Sequence, residues 1–320
     1  MAKDDTQHLV FEPKLTSQRS TKIVKICAAI AVCVTFVVGT LIVFTRDENS
    51  VSERESEKQE VASRSMESIG VESTPFEAIP GLTCGVHFNP QGNSSSNRVI
   101  GGHPAVLGMF RWQASFKDIL PYEDGYCGAS IISDRWLLTA AHCITGSAIS
   151  NPENLFVRVG SLSKVEGGVK HYLERVVINE DYRGNVVRGN DVALLKTKTV
   201  IILNDFVHPV CLPPRDLCLA SGSEMWISGY GFSEEEDENA MFYAKTELTN
   251  FEDCKRSFDP DLSESVTCTR ATPTTCNGDS GGPLSTRINE VWYNYGSVSL
   301  QPGLCPANAS NGFSRTTYFI

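Results

Sequence analysis

Hydrophobic positions fall along this chain in three successive patterns. The first is a single block, Ile26 to Thr45, which carries no charge over twenty residues. At about 1.5 Å per residue such a block spans about 30 Å, the hydrocarbon thickness of a bilayer. A cleaved leader is the alternative, but 25 residues precede the block and it outruns the roughly 7–15 apolar residues of a leader core. Residues 26–45 are therefore predicted to form a membrane-spanning helix. Lys14, Arg19, Lys22 and Lys25 precede it, whereas Arg46, Asp47, Glu48, Glu53 and Glu55 follow, so the positive-inside rule places residues 1–25 in the cytoplasm as a short tail.

The second pattern, from Asp47 to about Glu77, is rich in Glu and Ser with almost no aromatic residues. Such a composition cannot bury enough apolar surface to offset the entropy of ordering and predicts a disordered stalk, which with an activation peptide makes up residues 46–98. From Gly81 onward Gly, Pro, Cys and aromatic residues appear together with short β-branched runs: Phe156-Val157-Arg158-Val159, Arg175-Val176-Val177-Ile178 and Thr199-Val200-Ile201-Ile202. Runs of this kind between turn residues predict an all-β barrel or sandwich.

Composition narrows the function classes. With 320 residues, 41% of them apolar, the chain can build a real core. A formal charge of −10 without clustered Lys and Arg excludes a nucleic-acid partner, since phosphate binding needs such clusters. No Gly-rich strand-to-helix turn and no metal-ligand spacing is present, so neither a cofactor nor a metal is expected. Of eleven cysteines, nine lie beyond residue 80 and imply disulfides in an oxidising compartment. Cys27 and Cys33 belong to the membrane segment.

Three segments carry candidate chemistry: Leu138-Thr139-Ala140-Ala141-His142-Cys143, Asn190-Asp191-Val192-Ala193-Leu194-Leu195, and Cys276-Asn277-Gly278-Asp279-Ser280-Gly281-Gly282-Pro283-Leu284. Acyl transfer needs a hydroxyl nucleophile, an imidazole to move its proton, and a buried carboxylate to fix the imidazole's tautomer. In these contexts His142, Asp191 and Ser280 resemble the chymotrypsin and trypsin family of serine proteases, and the resemblance covers about Val99 to Ile320. It implies two six-stranded antiparallel barrels in a catalytic domain spanning 99–320. His142 and Asp191 are expected on the first barrel and Ser280 on the second, with the backbone N–H groups of Gly278 and Ser280 as the oxyanion hole.

The segment Asn97-Arg98-Val99-Ile100-Gly101-Gly102 resembles the family's activation site. That implies cleavage after Arg98, freeing the amino group of Val99 to pair with Asp279 and order the site. The resemblance further implies the disulfides Cys127–Cys143, Cys254–Cys268, Cys276–Cys305 and Cys84–Cys211. The last would tether the activated domain to the stalk. Together with the predicted anchor, this is the organisation of a type II membrane serine protease, with its catalytic domain outside the cell.

Several positions depart from the family pattern. Thr274 stands at the expected base of the substrate pocket, where trypsin-like members carry Asp, and a hydroxyl cannot balance an incoming Arg or Lys. Along the wall, Ser299-Leu300-Gln301 replaces Ser, an aromatic residue and Gly, so Gln301 is expected to narrow an entrance opposite an open Gly312. These positions predict a preference for small or medium uncharged side chains, with activation by a separate Arg-specific protease. Met225 and Thr286 replace two half-cystines that many relatives pair. Cys218 is expected to be free or to pair beyond the C-terminus, and a terminal helix is missing after Tyr318, leaving Phe319 and Ile320 exposed. Sequons at Asn93 and Asn308 fit an extracellular domain.

The partners implied are protein or peptide substrates, the activating protease, protein inhibitors, and the membrane through residues 26–45. The competing expectation is an inactive relative that uses the scaffold for binding or signalling.

Overall fold

The computed structural model describes residues 84–86, 102–118, 126–144, 149–231, 239–270, 275–301 and 310–320. The predicted cytoplasmic tail and membrane helix, and the 46–98 segment apart from residues 84–86, lie outside these residues, as do Asn93, Arg98, Val99, Thr274, Cys305 and Asn308. Among the described residues no helix is long and apolar enough to cross a membrane.

Six strands close an antiparallel barrel: β2 (Gln113–Asp118), β3 (Tyr126–Ile131), β4 (Trp136–Thr139), β5 (Leu155–Val159), β6 (Val169–Ile178) and β7 (Ala193–Thr197), in the order β2-β3-β4-β7-β6-β5. Short β-branched and leucine-rich runs suit it, because alternate side chains point inward. Ala114, Phe116, Ala129, Ile131, Leu137, Leu155, Val157, Leu173 and Leu195 fill that interior and are buried. The runs at 156–159 and 175–178 lie in β5 and β6. The run at 199–202 is not a strand. Lys198, just before it, still donates to Tyr172 O of β6, but the Ile201 amide turns away to Asp134 O, while Ile201 is buried and Val200 and Ile202 face solvent.

The second half differs from the expected six-stranded barrel. β1 (His103–Pro104), β8 (Glu224–Gly229), β9 (Phe242–Glu247), β10 (Val266–Thr269), β11 (Pro283–Ile288), β12 (Val291–Leu300) and β13 (Asn311–Arg315) form a seven-stranded sheet ordered β1-β9-β8-β11-β12-β13-β10. β1 takes the outer side of β9 at its start, through the pairs His103 with Tyr243 and Pro104 with Phe242. At the other end of β9 the sheet meets itself through the bridge Leu248 to Thr269, flanked by Thr249 N–H to Cys268 O and Arg270 N–H to Glu247 O. A two-residue edge strand of this kind blunts pairing with other chains.

Buried side-chain hydrogen bonds join the two halves: Trp112 to Ser285 at 3.2 Å, Ser228 to Gln113 at 2.8 Å and Asn294 to Ser130 at 2.9 Å. A helix, α1 (Phe251–Ser257), is capped by Asn250, whose side chain accepts from Asp253 N–H, and the Cys254–Cys268 disulfide staples it to β10. Met225 and Thr286, on adjacent strands, are both buried. Thr286 Oγ1 donates to Glu224 O at 3.1 Å, so a thioether and a satisfied hydroxyl occupy the place of a cross-link.

After β13 the chain ends in a 3-10 turn, Thr316–Tyr318. Thr316 Oγ1 donates to the buried Asn294 Oδ1 at 2.9 Å. Phe319 is half-buried against the first barrel's core rather than exposed, and Ile320 is also partly covered. The Cys84–Cys211, Cys127–Cys143 and Cys254–Cys268 disulfides are formed as expected. Cys218 and Cys276 are disulfide-bonded too, with partners outside the described residues. Cys218 is therefore not a free thiol, one of the two outcomes expected for it.

Candidate active site

Each candidate side chain is held by its own local structure. β4 ends at Thr139 and the chain turns through a 3-10 segment, Ala141–Cys143; the Cys127–Cys143 disulfide then anchors the far side of His142 to β3. Those two sulfurs lie close to the imidazole but are bonded to each other, so they present no thiolate. Asp191 follows a second 3-10 turn, Val186–Arg188. Asn190 adopts φ +59°, a left-handed conformation that Asn tolerates better than most residues.

The Asp191 carboxylate is fully buried and accepts three hydrogen bonds. His142 N–H reaches Oδ1 at 2.8 Å, while His142 Nδ1 and Ser299 Oγ reach Oδ2 at 2.7 and 2.5 Å. A further bond, from Ser314 Oγ to the Asp191 carbonyl at 2.7 Å, ties the turn to β13. An ionised carboxylate can only accept, so the proton between the two groups sits on Nδ1 and leaves the Nε2 lone pair available as a base. Tyr182 nearby has its phenol pushed up to about 12 by burial and by the Asp191 charge.

Ser280 approaches from the second sheet. Its carbonyl accepts from Gly128 N–H at 2.7 Å, and Gly128 adjoins Cys127, which is bonded to the neighbour of His142. The Ser280 loop is thus docked on β3, the strand whose Cys127 is cross-linked to the neighbour of His142. Among the described residues no hydrogen bond joins Ser280 Oγ to His142, a contact that commonly tightens only when substrate is bound.

The backbone around Ser280 shows which donors remain. Asp279 N–H donates to Cys276 O, Gly281 N–H to Val298 O and Gly282 N–H to Asp279 O. Among the described residues the N–H groups of Gly278 and Ser280 meet no backbone acceptor. Two free donors two residues apart beside a serine hydroxyl form a cradle for a developing oxyanion. Gly278 stands at φ +97°, and a Cβ there would come within 3.2 Å of Gly231 Cα. Gly278→Ala is therefore expected to lower kcat about 10²–10³-fold with little change in KM, measured on enzyme titrated for active sites.

The chain belongs to the trypsin family. The family profile described as Trypsin matches residues 99–320. Coagulation factor XI of Bos taurus is 31% identical over 232 residues, which is 70% of this chain and 37% of that protein. Testisin of Homo sapiens is 29% identical over 241 residues, covering 70% of this chain and 76% of testisin. The chain thus spans little more than a third of the length of the first of these relatives.

Against that trypsin-family frame, Asp279 and the pocket walls are distinctive. Asp279 Oδ1 accepts from Gly231 N–H at 2.8 Å and Oδ2 from Cys276 N–H at 2.9 Å. Space for the carboxyl exists because residue 231 is Gly: a Cβ there would lie 2.3 Å from Asp279 Oδ2. Burial pushes this carboxyl up to about 6, against the pull of those two N–H groups and of the Lys164 ammonium. Lys164 Nζ itself donates to Tyr230 O at 3.3 Å.

On the pocket wall, Gln301 Nε2 donates to Cys276 O at 2.9 Å, so its side chain bars the gap between β12 and the nucleophile segment. The bare face of Gly312 is not open as expected: a Cβ there would lie 2.8 Å from Leu300 Cβ and 3.3 Å from Phe258 Cζ. The space that glycine leaves is filled by the buried Leu300. Sequence reasoning passed over Ser314 and Asn311, both fully buried polar residues of β13; the only signal was polar residues at inward-facing strand positions.

Proposed function

We propose that this chain is the membrane-anchored zymogen of a serine endopeptidase that hydrolyses peptide bonds of extracellular proteins. The observation that carries the reading is the joint geometry of Asp191, His142 and Ser280 beside the unpaired N–H groups of Gly278 and Ser280. His142 Nε2 removes the Ser280 proton as Oγ attacks the carbonyl, and the oxyanion settles between the two N–H groups. The imidazolium, steadied by Asp191, then returns the proton to the leaving amine, and water repeats the sequence on the acyl-enzyme. An inactive binding module would have no need of this arrangement.

Activation is read as cleavage after Arg98. Asp279 is buried and held by two backbone donors, a carboxylate that a new amino group at Val99 would neutralise. Thr274 offers no charge for Arg or Lys, and Gln301 bars the wall, so substrates carry small or medium uncharged side chains before the scissile bond. A different, Arg-specific protease performs the activating cut. Residues 26–45 anchor the chain with the catalytic domain outside the cell, where Asn93 and Asn308 can carry glycans and protein inhibitors can act.

The Cys84–Cys211 bond makes the tether. Gly85, next to Cys84, donates to Pro209 O at 2.8 Å and accepts from Trp292 N–H at 3.0 Å, so the chain is held to the body beside the disulfide. Cutting the full-length chain after Arg98 is expected to switch on hydrolysis of fluorogenic peptides with an uncharged residue before the scissile bond. The cut product should run as one band without reductant and as two with it. Equal hydrolysis by uncut chain would overturn the zymogen reading, and fragments that separate without reductant would overturn the tether.

A further inference from the structure

Asn311 opens β13 and is fully buried, yet every hydrogen-bonding position of its amide is engaged. Its Oδ1 accepts from Thr275 N–H at 2.7 Å and from Thr275 Oγ1 at 3.1 Å. Its Nδ2 donates to Thr269 Oγ1 at 3.2 Å and to Arg270 O at 3.1 Å. One side chain thus grips both ends of the short connection between Arg270 and Thr275. The next residue, Cys276, is held on both faces of its backbone, its N–H by Asp279 and its carbonyl by Gln301. Asn311, Thr275 and Gln301 therefore act as one clamp on the segment that leads into Gly278 and Ser280.

We propose that Asn311 is the positioning residue of the substrate pocket: through Thr275 it fixes the wall that faces the side chain before the scissile bond. This rests on the protease reading above and extends it. A buried amide is suited to the task because it supplies two acceptor and two donor positions in one plane, whereas a carboxylate or an aliphatic side chain leaves partners unmade. Loss of the clamp changes how well the pocket discriminates without removing any direct contact of the Asp191–His142 pair, which is held from these strands by Ser299 and Ser314 instead.

The test uses full-length chain cut after Arg98, with concentrations set by fluorophosphonate titration and a panel of peptide amides differing only in the residue before the scissile bond. Failure of the parent to react with the fluorophosphonate would sink the protease reading itself, separately from this proposal. With a reactive parent, Asn311→Asp is expected to raise KM about tenfold on the best peptide with kcat within about threefold, and to flatten the ranking among peptides. Lowering the pH should partly restore both, because a protonated carboxyl regains a donor toward Arg270 O.

Thr275→Val, which removes only the hydroxyl contact, is expected to shift the ranking in the same direction by a smaller factor, and it decides the matter if Asn311→Asp does not fold. An unchanged ranking in the folded variants would overturn the proposal. So would a loss confined to kcat, which would assign Asn311 to the nucleophile loop instead, or a loss fully accounted for by fewer titratable sites.

Discussion

Asp191→Asn is expected to lower turnover by about 10⁴-fold while leaving the fold and the affinity for peptide largely intact. The carboxylate accepts from His142 N–H, from His142 Nδ1 and from Ser299 Oγ, all within 2.8 Å, at a site with no access to water. An amide keeps the shape but turns one of those acceptors into a donor. If its oxygen stays toward the His142 backbone, its NH₂ faces both Nδ1 and the Ser299 hydroxyl. The imidazole then avoids a clash of donors by moving its proton to Nε2, the atom that must take the Ser280 proton. Ser299 can rotate its hydroxyl, so the packing survives and the loss is chemical. The measurement is kcat at several pH values, with thermal unfolding as a control. A kcat within about tenfold of the parent would mean that Asp191 does not set the tautomer.

Asp279→Asn is expected to act in opposite directions on the uncut and the cut chain. In the uncut chain the Asp279 carboxyl titrates near 6, above its ordinary value of 3.8. Between those values the folded protein binds more protons than the unfolded one, so stability falls as the pH rises from about 4 to about 6 and stays reduced above that. At about 1.4 kcal/mol per pH unit the displacement amounts to about 3 kcal/mol. The amide carries no such burden, so the uncut Asn variant should melt above its parent at pH 8 and converge with it below about pH 4.

After cleavage the sign reverses, because the parent gains an amino group beside the carboxylate and the variant cannot pair with it. The cut variant should lose about 10²–10³ in turnover as the Gly278 and Ser280 donors lose their support. A pH dependence of melting identical in the two uncut chains would remove the premise, and full activity of the cut variant would remove the switch.

What could be read from the sequence follows from how locally each feature is encoded. His142, Asp191 and Ser280 were legible because each sits in a short segment whose neighbours are dictated by the same chemistry: Cys143 to anchor the turn, glycines to free the oxyanion donors. The first barrel was legible as an all-β domain from its β-branched runs. The run at 199–202 misled because its alternation is local, whereas strand formation needs a neighbour, and its Ile201 amide bonds to Asp134 in the turn between β3 and β4 instead.

The second sheet's extra strand and single-bridge closure were illegible for the same reason. His103 and Pro104 pair with residues 242 and 243, far along the chain, and a Pro-containing pair of residues carries no strand signal. The Asn311 clamp joins residues 36 and 42 positions apart. A lone Asn followed by Gly reads locally as a turn, and only the folded sheet shows it to be a buried amide with all its bonds made. Likewise the filling of Gly312 by Leu300 comes from packing across β12 and β13, which single positions cannot announce.

The central claim, a triggered acyl-transfer site, is tested most directly by a fluorophosphonate, which bonds only to an activated serine. Full-length chain is incubated with the probe before and after complete cleavage at Arg98, alongside Ser280→Ala treated in the same way. Stoichiometric labelling of Ser280 is expected in the cut chain, with little in the uncut chain and none in the variant. Absence of labelling after confirmed cleavage would contradict it and leave the two-sheet scaffold as a binding module.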